Sequence, residues 1–440
     1  MNKKNKIIST IGFAVTFVIM FFFVHEFFYH KNVAKEYDVV LDENSHVNVF
    51  FFGSSHVNNG ISPMLLWKHF GIVSYNFARP AQAIPTDYYS MILATEKSKP
   101  DLIVIDTVMI SKNDMNRDRD FLDVGEYSIP FCYEAPNSIN KIKLVNEYSP
   151  LEDRFHILFP FSNYHYSWSD ATKDSFWKDD IDCSFGYNMT FTTDVTATPY
   201  KDVAEWNPEN INIPDNVNVD YLEKLIGYCK EQNIKVLLIT LPYGATEDQQ
   251  ALINYSNVIA EKNDIPYYNM NCSEVVNDKT DYVESFKEHL NALGAYRATI
   301  DLGNYITRNY SFEADNNYIQ TEYMNSAYER YEQKQIEILL SLSDLTSYLM
   351  FASSMDVKIE AYIYNPFILT NPEWKVFWDS LGYGTEVQSD ENTKAFICFG
   401  NEYETEMLSD LHMVIYNESK ETVIDDVYYT INDGFYRESL

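Results

Sequence analysis

Glycine is scarce in this chain, at 14 of 440 positions, with 15 prolines scattered among the rest. That scarcity excludes collagen-like repeats and argues against long flexible or disordered stretches. Basic residues are also few, 33 Lys and Arg against 65 Asp and Glu, for a formal charge of -32. Such a balance opposes nucleic acid, whose binding needs cations against the phosphates. It equally disfavours docking on anionic lipid. Cysteine is confined to Cys132, Cys183, Cys229, Cys272 and Cys398, with no CxxC and no paired spacing. That excludes a disulfide framework and a zinc site. HExxH, calcium-loop, phosphate-loop and dinucleotide fingerprints are missing too. The expectation is no metal, no cofactor and no nucleic-acid partner.

What is present is apolar and aromatic. Hydrophobic residues make up 46% and aromatics 16%, enough for more than one packed core. One long apolar run stands apart at the N-terminus. Residues 7–24 are uncharged and follow Lys3, Lys4 and Lys6. About 20 apolar residues suffice to span a bilayer as a helix. No small-residue cleavage site follows, so the run reads as a signal anchor rather than a removed signal peptide. The lysines hold the N-terminus in the cytoplasm. Residues 1–30 are therefore expected to be leader and single transmembrane helix, with the rest of the chain extracellular.

Residues 47–53, VNVFFFG, read as a buried strand that stops at Ser54-Ser55-His56. Further short apolar strands are expected at 74–78, 101–107, 234–241 and 265–270, separated by helical segments such as 61–71, 86–97 and 219–232. This rhythm predicts an α/β domain built on a doubly wound parallel sheet. It spans about 35–310, interrupted by a polar, aromatic insertion at 112–216 that is partly helical at 138–148 and 150–158. Beyond 311 the composition shifts to one long helical stretch at 320–352. Strands at 358–364, 394–399, 411–416 and 422–430 then surround a helix at 372–381, a smaller β-rich module.

Chemistry concentrates at two places. Ser55 ends the first strand, and His289 lies in the loop before a helix that follows the last strand. Both locations fall at the carboxyl edge of a doubly wound sheet, where open α/β folds bind ligands. A serine nucleophile needs a base within hydrogen-bond reach, an acid to orient it, and donors for the oxyanion. The backbone amides of Ser55 and of Ala81, in the loop after the second strand, are candidates for the donors. His56 reads as a pocket-wall or solvated residue, and His165 either as lining the site from the insertion or as part of a buried aromatic cluster.

Gly53-Ser54-Ser55, Pro80-Ala81-Gln82 and His289-Leu290-Asn291 followed by Gly294 resemble three sequence blocks of the SGNH (GDSL-type) hydrolases. The resemblance covers about 45–308. It is greatest to exported bacterial members held by one helix, among them the SGNH protein of teichoic-acid D-alanylation. It implies a flavodoxin-like α/β fold and serine esterase or acyltransferase activity. The substrate it implies is a cell-surface carbohydrate polymer or acylated small molecule carrying an acyl, chiefly acetyl, group. Two positions depart from the family pattern. Phe286 stands where the acid usually precedes the histidine by three residues. Glu284 is the foremost substitute, with Glu288 and Asp281 also open. The third strand ends Asp106-Thr107-Val108-Met109, without the asparagine that completes the family's oxyanion hole. These departures motivate an alternative, a degenerate SGNH-fold scaffold or a glycan- or partner-binding surface protein. Residues 340–432 faintly resemble an interleukin-like EMT inducer domain, a non-enzymatic β-rich module.

Overall fold

Phe50, Phe51 and Phe52 are fully buried in the strand that the rest of the α/β unit is built around. Their alternate side chains point to opposite faces of a sheet, so one strand feeds two cores. In the computed structural model of the chain, the described residues are 3–32, 46–96, 98–112, 138–158, 183–193, 201–312, 318–381, 395–399 and 409–437.

The first sheet contains β1 (Val49–Gly53), β2 (Ser74–Ala78), β3 (Leu102–Asp106), β4 (Lys235–Thr240) and β5 (Tyr267–Asn269). All pairings are parallel, in the order β2-β1-β3-β4-β5. This is the flavodoxin-like order, in which the direction of strand addition reverses between β1 and β3. Phe50 and Phe52 meet Tyr75, Phe77, Ile103 and Ile105 on one face, where helices Ile84–Thr95 and Val217–Glu231 add Leu93, Leu222 and Ile226. Phe51 packs on the other face with Val104, Leu237, Ala298, Leu302 and Ile306, the last three from helix Ala292–Asn309. Both faces are covered, which is why these strands are continuously apolar.

A second sheet is separate. It holds β6 (Val357–Ile363), β7 (Ala395–Phe399), β8 (Leu411–Asn417), β9 (Val423–Thr430) and β10 (Gly434–Arg437), in the order β10-β9-β8-β6-β7. It is antiparallel except for the β6–β7 pair. β10 was not expected from sequence. Alternate residues of β6, including Ile359 and Ala361, face helices Leu345–Ser353 and Pro372–Leu381 through Phe351, Phe377 and Trp378. Ala292 and Leu293 of the α/β unit belong to this same core. His69 and Tyr296 also meet Asp356 at 3.1 Å each.

Two expectations need amending. The helical stretch expected at 320–352 is two helices, Tyr318–Ser341 and Leu345–Ser353. The break falls where Asp344 turns its carboxylate back to accept from the Ser347 amide at 2.8 Å, an N-cap that starts a new helix. Ser54-Ser55 is more than a turn, because a six-residue helix, Ser55–Gly60, starts directly at the strand end. At the N-terminus a helix runs Lys3–Asn32. Among the described residues no helix is long and apolar enough to cross a membrane. The run at 7–24 includes positions, Phe22 and Val24 among them, whose side chains fall outside those described. The aromatic cluster at 164–168, with His165, lies outside the described residues as well.

Candidate active site

β1 delivers the nucleophile candidate. Gly53 ends the strand with φ 156, and a Cβ there would lie 2.7 Å from Val57 Cγ2 and 3.0 Å from Asp106 Cβ. Only glycine lets the chain turn this tightly from strand into helix. The two serines that follow have different surroundings. Ser54 is buried, and its hydroxyl meets His56 Nδ1 at 2.8 Å. Ser55 is half-buried, and its Oγ lies 2.9 Å from His289 Nε2.

His289 sits in a hairpin stretched between β5 and helix Ala292–Asn309. Tyr282 and Leu290 form an antiparallel bridge, and the Val283 amide donates to the His289 carbonyl at 2.9 Å. The turn closes with the Lys287 amide donating to the Glu284 carbonyl at 2.9 Å, with Lys287 at φ 58. In this geometry residues 284 and 289 face each other across the mouth of the loop. Glu284 Oε2 accepts the His289 backbone N–H at 3.0 Å, and Oε1 lies 2.9 Å from Nδ1. A carboxylate only accepts, so Nδ1 carries the proton and Nε2 presents its lone pair to the Ser55 hydroxyl.

The other two acids left open by the sequence have different partners. Asp281 takes Arg297 Nη1 on both oxygens, at 3.1 and 2.8 Å, and the Asn277 amide at 2.8 Å. Glu288 binds Lys201 Nζ at 2.6 Å, and Lys201 also donates to Tyr243 OH at 3.1 Å. Burial pulls the Lys201 ammonium below its usual value, with Glu288 opposing. Burial pushes Glu288 up, but Lys201 outweighs it and holds the carboxyl below its ordinary value. Phe286, at the position where the family places its acid, faces Lys201, whose ammonium lies 5.8 Å from the ring centre.

Asn291 ties the hairpin to the helix. Its side chain accepts from the Leu293 and Gly294 amides at 3.1 Å and donates to the Thr280 carbonyl at 2.8 Å. The loop after β4 supplies a second tie. The Gly244 amide donates to the Lys287 carbonyl at 2.7 Å, and a Cβ at 244 would lie 2.5 Å from Phe286 O. A third comes from the described end of the insertion. The Thr190 hydroxyl and carbonyl hold Leu290 and Ala292, at 3.1 and 2.7 Å, while the Asn188 amide reaches the Asn58 carbonyl at 2.7 Å. One short segment thus braces the helix of Ser55 and the hairpin of His289 together. The sequence offered no signal for either the Gly244 or the Asn188–Thr190 tie, since the Gly244 bond and the Asn188–Asn58 and Ala292–Thr190 bonds join backbone atoms.

Ala81 is exposed, with φ 53, in the turn after β2, whose last residue is in register with Gly53. Gln82 fixes that turn by donating to the Phe77 carbonyl at 2.9 Å and to Asp87 at 2.6 Å. Thr107, where the family's asparagine would stand, is turned away. Its hydroxyl lies 3.1 Å from the Ile239 carbonyl and accepts from Ser256 at 2.8 Å.

Two buried groups flank the site. His56 is buried rather than solvated, stacked on His289 with centroids 5.6 Å apart and edge-on to Tyr243 at 4.9 Å. Burial first, then His289, lowers its pKa to about 3, so it stays neutral beside the base. Asp106, under the Gly53 turn, accepts from the Leu241 amide at 3.1 Å, and burial raises its pKa to about 7. Asp87 is likewise pushed well above the usual carboxylate range by burial. Among the described residues no group of three or more His, Cys, Asp or Glu is arranged to hold a metal ion.

No family model matches the chain, and no curated protein does. Among solved structures, a candidate acylhydrolase from Bacteroides fragilis is similar over 63% of this chain and 97% of its own, with 14% identity and a TM-score of 0.30. A likeness that slight carries no argument about fold or activity.

Proposed function

We propose that the chain is a serine esterase or acyltransferase of SGNH type acting on acyl, chiefly acetyl, groups of cell-surface carbohydrate polymers. The observation that carries the reading is the unbroken hydrogen-bonded line from Ser55 Oγ through the His289 ring to Glu284. Ser55 Oγ attacks the ester carbonyl carbon while its proton passes to His289 Nε2. The carbonyl oxygen, now anionic, is held by the amides of Ser55 and Ala81. Collapse expels the alkoxide, which takes the proton from Nε2 and leaves an acyl-serine. Water or a sugar hydroxyl then gives its proton to Nε2 and attacks the acyl carbon, and collapse expels Ser55 Oγ, which takes that proton back from Nε2 and restores the free serine. Glu284 orients the imidazole and stabilises the imidazolium formed at each step.

The test is labelling by a fluorophosphonate and hydrolysis of p-nitrophenyl acetate. Both are expected in the native chain and both are lost in Ser55→Ala; a native chain that shows neither sinks the reading.

We also propose that the helix Lys3–Asn32 anchors the chain in a membrane with the α/β unit outside. Ile7, Ile11, Phe13, Phe17 and Ile19 are each more than half exposed and together cover every side of the helix. A helix apolar all round is a buried core helix or a membrane span, and this one is not buried. Deleting the first 32 residues should move the protein from the membrane to the soluble fraction; retention on the membrane counts against anchoring.

The alternative of a degenerate, non-catalytic surface protein is favoured by one observation, the commitment of Thr107 to a buried network at the position of the third oxyanion donor. Loss of one such donor costs about 2.7–4 kcal/mol of transition-state stabilisation. The same labelling experiment separates the two.

A further inference from the structure

The α/β unit and the β-rich module also meet away from the triad. Helix Pro63–Phe70 follows the helix of Ser55 and ends near the opposite edge of the sheet, where β2 begins. Lys68 in its last turn, helix Tyr318–Ser341, the start of β6 and the β8–β9 turn enclose a groove of about 600 Å³. That volume lies within the ordinary range of small-molecule sites. Neither Ser55, His289 nor Glu284 lines it.

The groove is negative. Three carboxylates line it, Glu332, Asp356 and Glu418, against one ammonium, Lys68. Lys68 Nζ lies 4.0 Å from Glu418 and 5.1 Å from the centre of the Tyr328 ring. Asp356 accepts from His69 Nε2 on one oxygen and from Tyr296 OH on the other. Even with His69 protonated, the carboxylates outnumber the cations. The Glu332 carboxyl is held above its ordinary pKa, by desolvation first and then, against Lys68 and Tyr328, by the repulsion of Asp356 and Glu329. A cation seated beside Glu332 would relieve that repulsion.

A neutral group in the groove also lacks a partner. Gln335 is only 5% exposed, and its side-chain amide has no hydrogen-bond partner among the described residues. A buried amide left in that state costs free energy, and a ligand that carries donors removes the cost. Gln335 follows Glu332 by three positions, so the two are neighbours on one face of the helix. An ammonium, with three N–H donors, can serve the Glu332 carboxylate and the Gln335 carbonyl together.

The acids are spread around the groove. Glu332 stands on the helix, Asp356 just before β6 and Glu418 in the turn between β8 and β9. Among the described residues no three acids, histidines or cysteines are grouped to hold a metal ion. Ile336, Met355, Val357 and Ile424 line the same groove. Separated carboxylates with apolar surface among them suit ammonium groups spaced along a methylene chain.

We propose that this groove is a binding site for an aliphatic diamine or longer polyamine. One ammonium is held by Glu332 and the Gln335 carbonyl, a second faces the acids across the groove, and the methylenes cover the apolar residues. The site goes beyond the esterase reading and does not depend on it.

The experiment titrates 1,5-diaminopentane into the full-length chain in non-ionic detergent by calorimetry, with pentylamine, 1,5-pentanediol and Mg²⁺ as comparisons. The diamine is expected to bind saturably, about tenfold or more tighter than pentylamine, the scale of one charged hydrogen bond. The diol and Mg²⁺ should show no saturable binding. Glu332→Gln and Gln335→Leu should each weaken the diamine about tenfold. Glu337→Gln, which removes an exposed carboxylate of the same helix outside the groove, should leave its binding unchanged. Ser55→Ala should bind the diamine as the native chain does, which keeps this result apart from the esterase test. Four outcomes overturn the site: no saturable binding of the diamine, equal binding of pentylamine or Mg²⁺, unchanged binding in both groove variants, or a loss in Glu337→Gln as large as in Glu332→Gln. The last would show attraction to an acidic surface alone.

Discussion

Glu284 holds His289 at two points, taking the backbone N–H on one oxygen at 3.0 Å and facing Nδ1 with the other at 2.9 Å. Glu284, five residues before His289, reaches it because the chain between them folds back on itself, bringing the two across a hairpin mouth. Replacing Glu284 with Ala should lower kcat by about 10²–10⁴-fold and slow Ser55 labelling with little change in melting temperature. Adding Phe286→Asp should not restore activity, because that side chain faces Lys201. Steady-state kinetics of the single and double variants check both statements.

Gly244 sets the height of the same hairpin. In Gly244→Ala the added Cβ meets Phe286 O and Lys287 Cβ, at 2.5 and 2.6 Å in the present backbone, so the loop must shift. A displacement near 1 Å costs about 10²-fold in rate. The expected outcome is that loss in kcat with about 1–3 kcal/mol of destabilisation, read by kinetics and by denaturant unfolding. Full activity would show that the hairpin is not held from this side.

Ala81 occupies left-handed backbone, φ 53, with its side chain in solvent. A residue with a Cβ is strained there by about 1–2 kcal/mol, and glycine removes the strain at some cost in unfolded-state entropy. Ala81→Gly should therefore stabilise the chain by up to about 1 kcal/mol in denaturant unfolding.

Two buried groups give stability opposite dependences on pH. Asp106 titrates at about 7 against an ordinary 3.8, so the folded chain binds more protons between those values. Its contribution is fully present below 3.8 and is lost as pH rises to about 7. His56 is the reverse. With its pKa at about 3 rather than 6.5, its contribution is present above 6.5 and is lost as pH falls to about 3. Each slope is bounded at about 1.4 kcal/mol per pH unit. The two slopes oppose each other over most of this window, so in unfolding measured from pH 4 to 7 Asp106→Asn should expose a fall toward acid and His56→Gln a fall toward neutrality.

The α/β sheet was legible because its strands are covered on both faces and therefore run apolar without interruption. All five expected strands appear within a few residues of where Val49, Ser74, Leu102, Lys235 and Tyr267 begin them. Ser55 and His289 were legible because each stands at a strand end or helix start with a recognisable neighbour, Gly53 or Asn291. The surroundings were not. The hydrogen bond from Gly244 to the Lys287 carbonyl joins backbone atoms of loops whose side chains give no sign of it. His56 looked solvated because polarity is visible in a sequence and burial is not. Glu284, Glu288 and Asp281 were inseparable until Lys201 and Arg297 were seen to engage the latter two. The split at Asp344 was missed because helical periodicity continues through it; the cap that restarts the helix is a local competition between side chain and backbone.

Ser55 and His289 lie 234 positions apart, and the hydrogen bond between them closes that whole span. Contacts so remote in sequence form late, since the chain between them must order first. During synthesis the serine therefore exists for most of the chain's growth as an ordinary alcohol without a base. On the proposed esterase reading, reactivity would arrive only with the hairpin and the helix that follows it, and activity would report that the α/β unit has closed.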